Sequence, residues 1–259
     1  MIIKAPKKEK IAKVEISITQ QCEVLEYIEN SLKKNHKFFI VTPNPEIVAL
    51  AQKDDYLLKV INSSDLSVID GIGLLIAAKL YGFSDAKLIK GRELMIEILK
   101  IAHKKCLRVF LLGSTEDVIL RSIVKINEKY KDIEASGAGG PVLNKNAEPI
   151  NQREKSLEES VINKINRFKP DILFIAFGAP KQEIWYYKNK NKLITGGAMV
   201  VGGSFDYFSG KQKLPPLFLA VTGFEWFWRL LTKKGHAKRV FTSIFIFPYL
   251  VLKSNFDRK

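Results

Sequence analysis

The sequence predicts an α/β protein, a Rossmann-like parallel sheet with helices on both faces. Three observations carry this reading. Five short runs are mostly apolar rather than alternating: Phe38–Val41, Leu66–Ile69, Arg108–Leu112, Asp171–Ala176 and Ala198–Val201. A loop of glycine or polar residues follows each run, and in most cases a helical pattern follows the loop. Strands buried on both faces and alternating with helices fit a parallel sheet covered on both sides.

Taken in order, Phe38–Val41 leads into Thr42-Pro43-Asn44-Pro45, a good helix start with Asn44 as cap, Pro45 as first helical residue and Glu46 in the first turn. Leu66–Ile69 leads into Asp70-Gly71-Ile72-Gly73 and the apolar stretch Leu74–Leu80. Arg108–Leu112 leads into Gly113-Ser114-Thr115 and an amphipathic segment ending at about Tyr130. The polar stretch Asn144–Glu159 reads as a surface loop before a helix that ends near Phe168. Asp171–Ala176 leads into Phe177-Gly178-Ala179-Pro180-Lys181-Gln182-Glu183, and Ala198–Val201 into Gly202-Gly203-Ser204-Phe205. In open parallel sheets ligands bind beyond the carboxyl ends of the strands, so these loops are where function is expected.

The 259 residues are 46% hydrophobic and 27% charged, a globular composition that can bury a sizeable core. Two cysteines and three histidines provide neither a disulfide framework nor a multi-histidine metal site, so no cofactor or metal is expected. The net charge is +15. Residues 211–259 hold ten basic residues against Glu225 and Asp257. A basic tail attracts polyanions, either nucleic acid or an anionic membrane. The start of the chain lacks a signal peptide's apolar core, which points to the cytoplasm.

Asp70, at a strand's carboxyl end before two glycines, is placed to act as a general base, and equally to cap the next helix. Thr42 and Asn44 would face the same crevice. Gly113-Ser114-Thr115 is explained by a capped helix, since neither a Walker motif nor G-x-G-x-x-G is present. Dinucleotide and P-loop binding are therefore disfavoured, and a dehydrogenase is the weakest reading. Lys181, Gln182 and Glu183 fit either contacts to a sugar or diphosphate or an ordinary first helical turn.

In the tail, Val240–Leu252 is apolar and bracketed by Lys238-Arg239 and Lys253. The run is shorter than the roughly 20 residues of a spanning helix, and Pro248 is expected to interrupt it. Phe224–Leu231 sets aromatics beside Arg229. Such a tail suits a bilayer interface better than a nucleic acid, while a helix packed on the core is the plainer alternative.

Several segments together resemble the WecG/TagA/CpsF family of bacterial glycosyltransferases: Thr42–Asn44, Val68–Gly73, Gly91–Leu94, Val109–Gly113, Pro170-Asp171 leading to Gly178–Glu183, Gly202–Gly210, Leu214–Pro216 and Gly223–Leu230. They run in family order over about residues 35–240. The resemblance implies an inverting, metal-independent transfer of N-acetylmannosamine, or a close relative, from a UDP-sugar donor to undecaprenyl-diphosphate-linked GlcNAc, as in teichoic acid linkage units. N-acetylmannosaminuronic acid or another UDP-hexose, for common antigen or capsule, is the alternative. It implies Asp70 as base, with Thr42, Asn44 and Gln182 contacting substrate. It further implies self-association through the core, and a C-terminal appendage that closes over the site at the inner face of the cell membrane.

The loop residues Gly71, Gly73, Gly113, Ser114, Gly178, Lys181 and Glu183, with Arg92, complete the expected substrate site. Arg92 and Lys181 are the cations for an acidic donor. No Asp-x-Asp motif is present to hold a divalent cation, so helix N-termini and basic side chains, with Arg229 and Arg239 as candidates, must meet the leaving diphosphate. Gly235-His236 stand where further arginines are expected. The chain is thus read as a core over 1–210 and an appendage over 211–259. The competing class is a non-catalytic nucleotide-sugar or nucleic-acid binding protein.

Overall fold

The computed structural model describes residues 3–216, 219, 228 and 237–256. Among these, six strands form one sheet in the order β4-β3-β8-β7-β5-β6, and every pairing in it is parallel. The strands are β3 (Phe38–Val41), β4 (Leu66–Ser67), β5 (Arg108–Gly113), β6 (Glu134–Ala138), β7 (Ile172–Ala176) and β8 (Gly197–Val200). The α/β class and the five strand positions expected from the apolar runs are borne out.

The reason lies in the alternation of side chains along each strand. Phe39 and Val41, Phe110 and Leu112, and Leu173 and Ile175 enter one buried cluster. Their neighbours Phe38 and Ile40, Val109 and Leu111, and Ile172 and Phe174 enter a second cluster. Along these three strands both faces of the sheet are therefore core, which is why none of the three shows a polar face.

The helices that cover the sheet are α1 (Gln21–Lys33), α2 (Pro45–Ala51), α3 (Asp55–Asn62), α4 (Ile72–Leu80), α5 (Gly91–Lys104), α6 (Glu116–Lys129), α7 (Gln152–Phe168), α8 (Lys181–Asn189) and the short α9 (Ser204–Phe208). Helix α7 corrects the sequence reading. It begins at Gln152, so the loop is shorter than Asn144–Glu159, and Asn151 caps it by accepting from the Glu154 amide at 2.9 Å. Its polar first turn is a solvated helix surface, with Val161, Ile162 and Ile165 supplying the buried face.

Two elements had no signal among the apolar runs. Strand β6 is made of Glu, Ala, Ser, Gly and Ala, poor strand formers, because Ile119 of α6 lies directly against Gly137. An N-terminal hairpin, β1 (Lys8–Ile11) with β2 (Val14–Ser17), buries Ile11, Val14 and Ile16. Its Ser17 hydroxyl accepts from the Ser67 amide at 3.0 Å and so covers the outer edge of β4.

At the C-terminus, α10 (Ala237–Phe241), a π-helical turn (Thr242–Ile246) and α11 (Phe247–Phe256) run on continuously. Pro248 does not interrupt this segment. The wider i→i+5 turn precedes it, with the Phe247 amide bonded back to the Thr242 carbonyl, and Pro248 is the second residue of α11. Phe247 and Val251 are buried in the core cluster that also holds α2 and α4 residues. The alternative of a C-terminal helix packed on the core is thus what these residues do. No helix among the described residues is long and apolar enough to cross a membrane.

A candidate glycosyltransferase site at the carboxyl edge of the sheet

Because the sheet is parallel, the loops after β4, β3, β8, β7 and β5 all emerge on one edge, in that spatial order. They bring Asp70, Thr42, Gly202, Gly178 and Ser114 along one line.

Asp70 follows β4, half-buried, with its amide donating to the Pro43 carbonyl at 3.0 Å. That bond locks the Asp70 loop to Thr42-Pro43-Asn44. Asn44 caps α2, its Oδ1 accepting from the Ile47 amide at 3.0 Å, and Pro45 opens the helix, as the sequence predicts. The cap of α4, by contrast, is Gly71 and not Asp70. Gly71 has φ +119, which L side chains rarely adopt, while a Cβ there would make only ordinary contact with Pro45 and Asn44. Only glycine turns the chain at this point while keeping the two loops in contact. Gly73 approaches Pro45 more closely, its would-be Cβ lying 3.0 Å from Pro45 Cγ. Of the two readings of Asp70, the cap does not match its position, since Gly71 occupies the cap of α4.

A third segment closes against these loops. The Ile89 amide donates to the Ile69 carbonyl at 2.9 Å, which lays the start of α5 beside Asp70. Gly91 is buried against the Thr42 side chain, itself buried. Lys90 and Arg92 are thereby held at the site with side chains 19% and 16% exposed, each 3.8 Å from Glu93. The Arg92 guanidinium also stands 5.4 Å from the ring centroid of Tyr207 on α9. Such stacking on a ring orients a cation while leaving its charge available.

On the other side, Gly113 has φ +97 and approaches Ala176 so closely that a Cβ would lie 2.7 Å from its carbonyl carbon. Ser114 follows with φ +61 and makes a long 3.4 Å contact to Asp206. Thr115 occupies the cap position of α6 without a side-chain cap bond, which corrects the expectation of a capped helix there.

Lys181, Gln182 and Glu183 are the first residues of α8, so the helical-turn reading is correct for their backbone. Their side chains turn inward. Lys181 Nζ donates to the Leu143 carbonyl at 2.6 Å. Gln182, 2% exposed, accepts from the Gly202 amide at 3.1 Å and donates to Glu183 Oε1 at 3.0 Å. In this arrangement Gln182 holds the loops after β7 and β8 together. Gly178, with φ +79, has open space where a side chain would stand.

Glu183 is buried, and burial pushes its carboxyl up to about 7, opposed by the Gln182 hydrogen bond and the Arg239 charge and reinforced by Glu46. A carboxyl raised from 4.5 in the unfolded chain to about 7 in the fold stabilises the protein below the lower value, and that contribution is lost as pH rises through 7. Glu183→Gln should therefore raise the melting temperature at pH 8 and leave it nearly unchanged at pH 4.5, measured by calorimetry across that range. The full shift corresponds to roughly 3 kcal/mol.

Arg239, from α10, reaches the first turn of α2, where its Nε donates to both Glu46 oxygens at 2.7 and 2.8 Å. Arg239, expected from the sequence as a candidate diphosphate clamp, is thus held by a carboxylate that sequence reasoning passed over as a first-turn residue. Asp206 and Tyr207 were also missed as individuals, although both lie within the Gly202–Gly210 segment. Arg229 and His236 lie outside the described residues, as does most of Phe224–Leu231.

Known proteins resemble this chain over nearly its whole length. The protein from Staphylococcus aureus (strain NCTC 8325 / PS 47) named N-acetylglucosaminyldiphosphoundecaprenol N-acetyl-beta-D-mannosaminyltransferase is 33% identical over 244 residues, covering 93% of this chain and 91% of the relative. The proteins of the same name from strains COL and MRSA252 match over the same length at 33% identity. The family model for glycosyl transferases of the WecG/TagA/CpsF type spans residues 9–259, and so takes in every loop of the crevice together with the C-terminal helices. A match of that extent, on a fold whose motif segments converge at one edge, means that this chain belongs to the WecG/TagA/CpsF glycosyltransferase family.

Proposed function

We propose that this enzyme transfers N-acetylmannosamine from a UDP donor to GlcNAc-diphosphoundecaprenol, the reaction named for its Staphylococcus aureus relatives. The observation that supports this most is the convergence of Asp70, Thr42 and Arg92 at one crevice, held by the Asp70–Pro43 and Ile89–Ile69 backbone bonds.

In this reading Asp70 accepts the proton of the acceptor sugar's hydroxyl as that oxygen attacks the anomeric carbon of the donor. The glycosidic bond to UDP breaks as the new bond forms on the opposite face, which inverts the anomeric centre. UDP leaves with its bonding electron pair. Lys90, Arg92 and the N-termini of α5 and α6 meet the developing negative charge, and Arg239 reaches the same side from the C-terminal helices. Thr42 and Asn44 line the floor, while Gln182 keeps the neighbouring loops in register. Residues 1–210 act as the catalytic core and 211–259 as an appendage that closes on it at an anionic membrane surface. The basic residues Lys238, Arg239 and Lys253 and the exposed Phe241, Phe245, Tyr249 and Leu252 support that attachment.

The test offers the full-length protein several UDP-sugars with a short-lipid diphosphate-GlcNAc acceptor, in the presence of chelator, and reads products by mass spectrometry. Transfer from UDP-N-acetylmannosamine alone is expected. Transfer from a different UDP-hexose would reassign the donor, and UDP binding without transfer from any donor would favour a binding protein.

A further inference from the structure

Helix α4 is apolar on the side that faces the core and on the side that does not. Leu74, Ala77 and Ala78 are buried. Ile72, Ile76 and Leu80, at i, i+4 and i+8, are 37%, 54% and 57% exposed. Residues so spaced form one stripe along a helix. Core packing explains the first set and leaves the second without a purpose. The stripe starts at Ile72, two residues after Asp70, and runs about 12 Å outward from the crevice at 1.5 Å per residue. At its far end the Tyr81 hydroxyl donates to the Val251 carbonyl of α11 at 3.1 Å. This bond sets the residue after Leu80 against α11, the helix that also carries the 63%-exposed Leu252.

We propose that the Ile72–Ile76–Leu80 stripe seats the polyprenyl chain of the lipid-linked acceptor, next to its diphosphate. The proposal deepens the acceptor reading above and rests on it for the identity of the lipid. The placement supplies what such a substrate requires. Its sugar must reach Asp70 and its diphosphate must lie near cations, here Lys90 and Arg92 beside the same loop. Its hydrocarbon chain must then leave the crevice along apolar surface rather than through water. An apolar track that begins at the base and ends at the C-terminal helix joins the site to the bilayer. A helix that only touched the bilayer would have no reason to carry its stripe back to the catalytic loop.

The test uses farnesyl diphosphate, a water-soluble polyprenyl diphosphate, and inorganic diphosphate as probes of the full-length protein, with binding read by calorimetry. The wild type should bind farnesyl diphosphate at least tenfold more tightly than inorganic diphosphate. In Ile76→Gln/Leu80→Gln that preference should vanish, and in Ile76→Leu/Leu80→Ile it should remain. Both positions are exposed and glutamine is a good helix former, so the fold should persist, as circular dichroism will check. Equal affinity of the wild type for the two probes, or a preference that survives the glutamine pair, overturns the proposal. So does loss of binding to phosphatidylglycerol vesicles with farnesyl preference intact, which would make the stripe a bilayer contact. A wild type that prefers farnesyl diphosphate yet transfers no sugar would count against the proposed reaction and not against the seat.

Discussion

Asp70→Asn should abolish sugar transfer, lowering kcat by roughly 10³-fold, the scale of a lost general base, while UDP still binds. The substitution keeps the size of the side chain. Two backbone constraints on the loop, the Asp70 amide on Pro43 and the turn at Gly71, do not depend on the carboxylate. A single-turnover assay with the short-lipid acceptor, paired with UDP calorimetry, separates the two quantities. Loss of UDP affinity in step with loss of rate would mean that Asp70 holds the loop rather than the proton. Unchanged rate would move the base elsewhere, and Asp206, near Ser114, would be the next carboxylate to examine.

Arg239→Glu should have the second-largest effect, because it sets like charges together where α10 docks. Glu46 has a side chain only 14% exposed, and Glu183 lies within electrostatic reach. Losing the pair and adding repulsion should cost roughly 2 kcal/mol, less than a fully buried pair because Arg239 is 41% exposed. The melting temperature should fall, and the C-terminal helix should become sensitive to protease. The charge-swapped protein, Glu46→Arg with Arg239→Glu, decides what the arginine is for. As a diphosphate clamp, Arg239 leaves the swapped protein stable again but slow. If it served docking alone, the swap would restore rate and stability together.

The α/β class, the positions of β3, β4, β5, β7 and β8, and the capped start of α2 were legible because each has a local cause. Runs such as Phe110–Leu112 and Leu173–Ile175 feed both faces of one sheet, and no other arrangement buries them all. The Asn44-Pro45 pair carries its cap geometry in its own chemistry. The candidate loops were legible for a topological reason, since parallel strands must present all their carboxyl ends to one edge.

Strand β6 was not legible, because Gly137 answers to Ile119 across the helix–sheet contact and not to strand propensity. Nor was the continuity of the helix through Pro248, which depends on a π-turn that no local pattern announces. The side-chain directions were decided by tertiary structure as well. The sequence placed Lys181, Gln182, Glu183 and Arg239 near a ligand, but only packing turned Lys181 to Leu143, buried Gln182 against Gly202, raised the Glu183 carboxyl and paired Arg239 with Glu46. A residue's type and its strand end are properties of the chain, and they determined the family of chemistry. Which atoms face each other depends on contacts between residues far apart in sequence, such as Glu46 and Arg239, and those exist only once the sheet has brought the loops together.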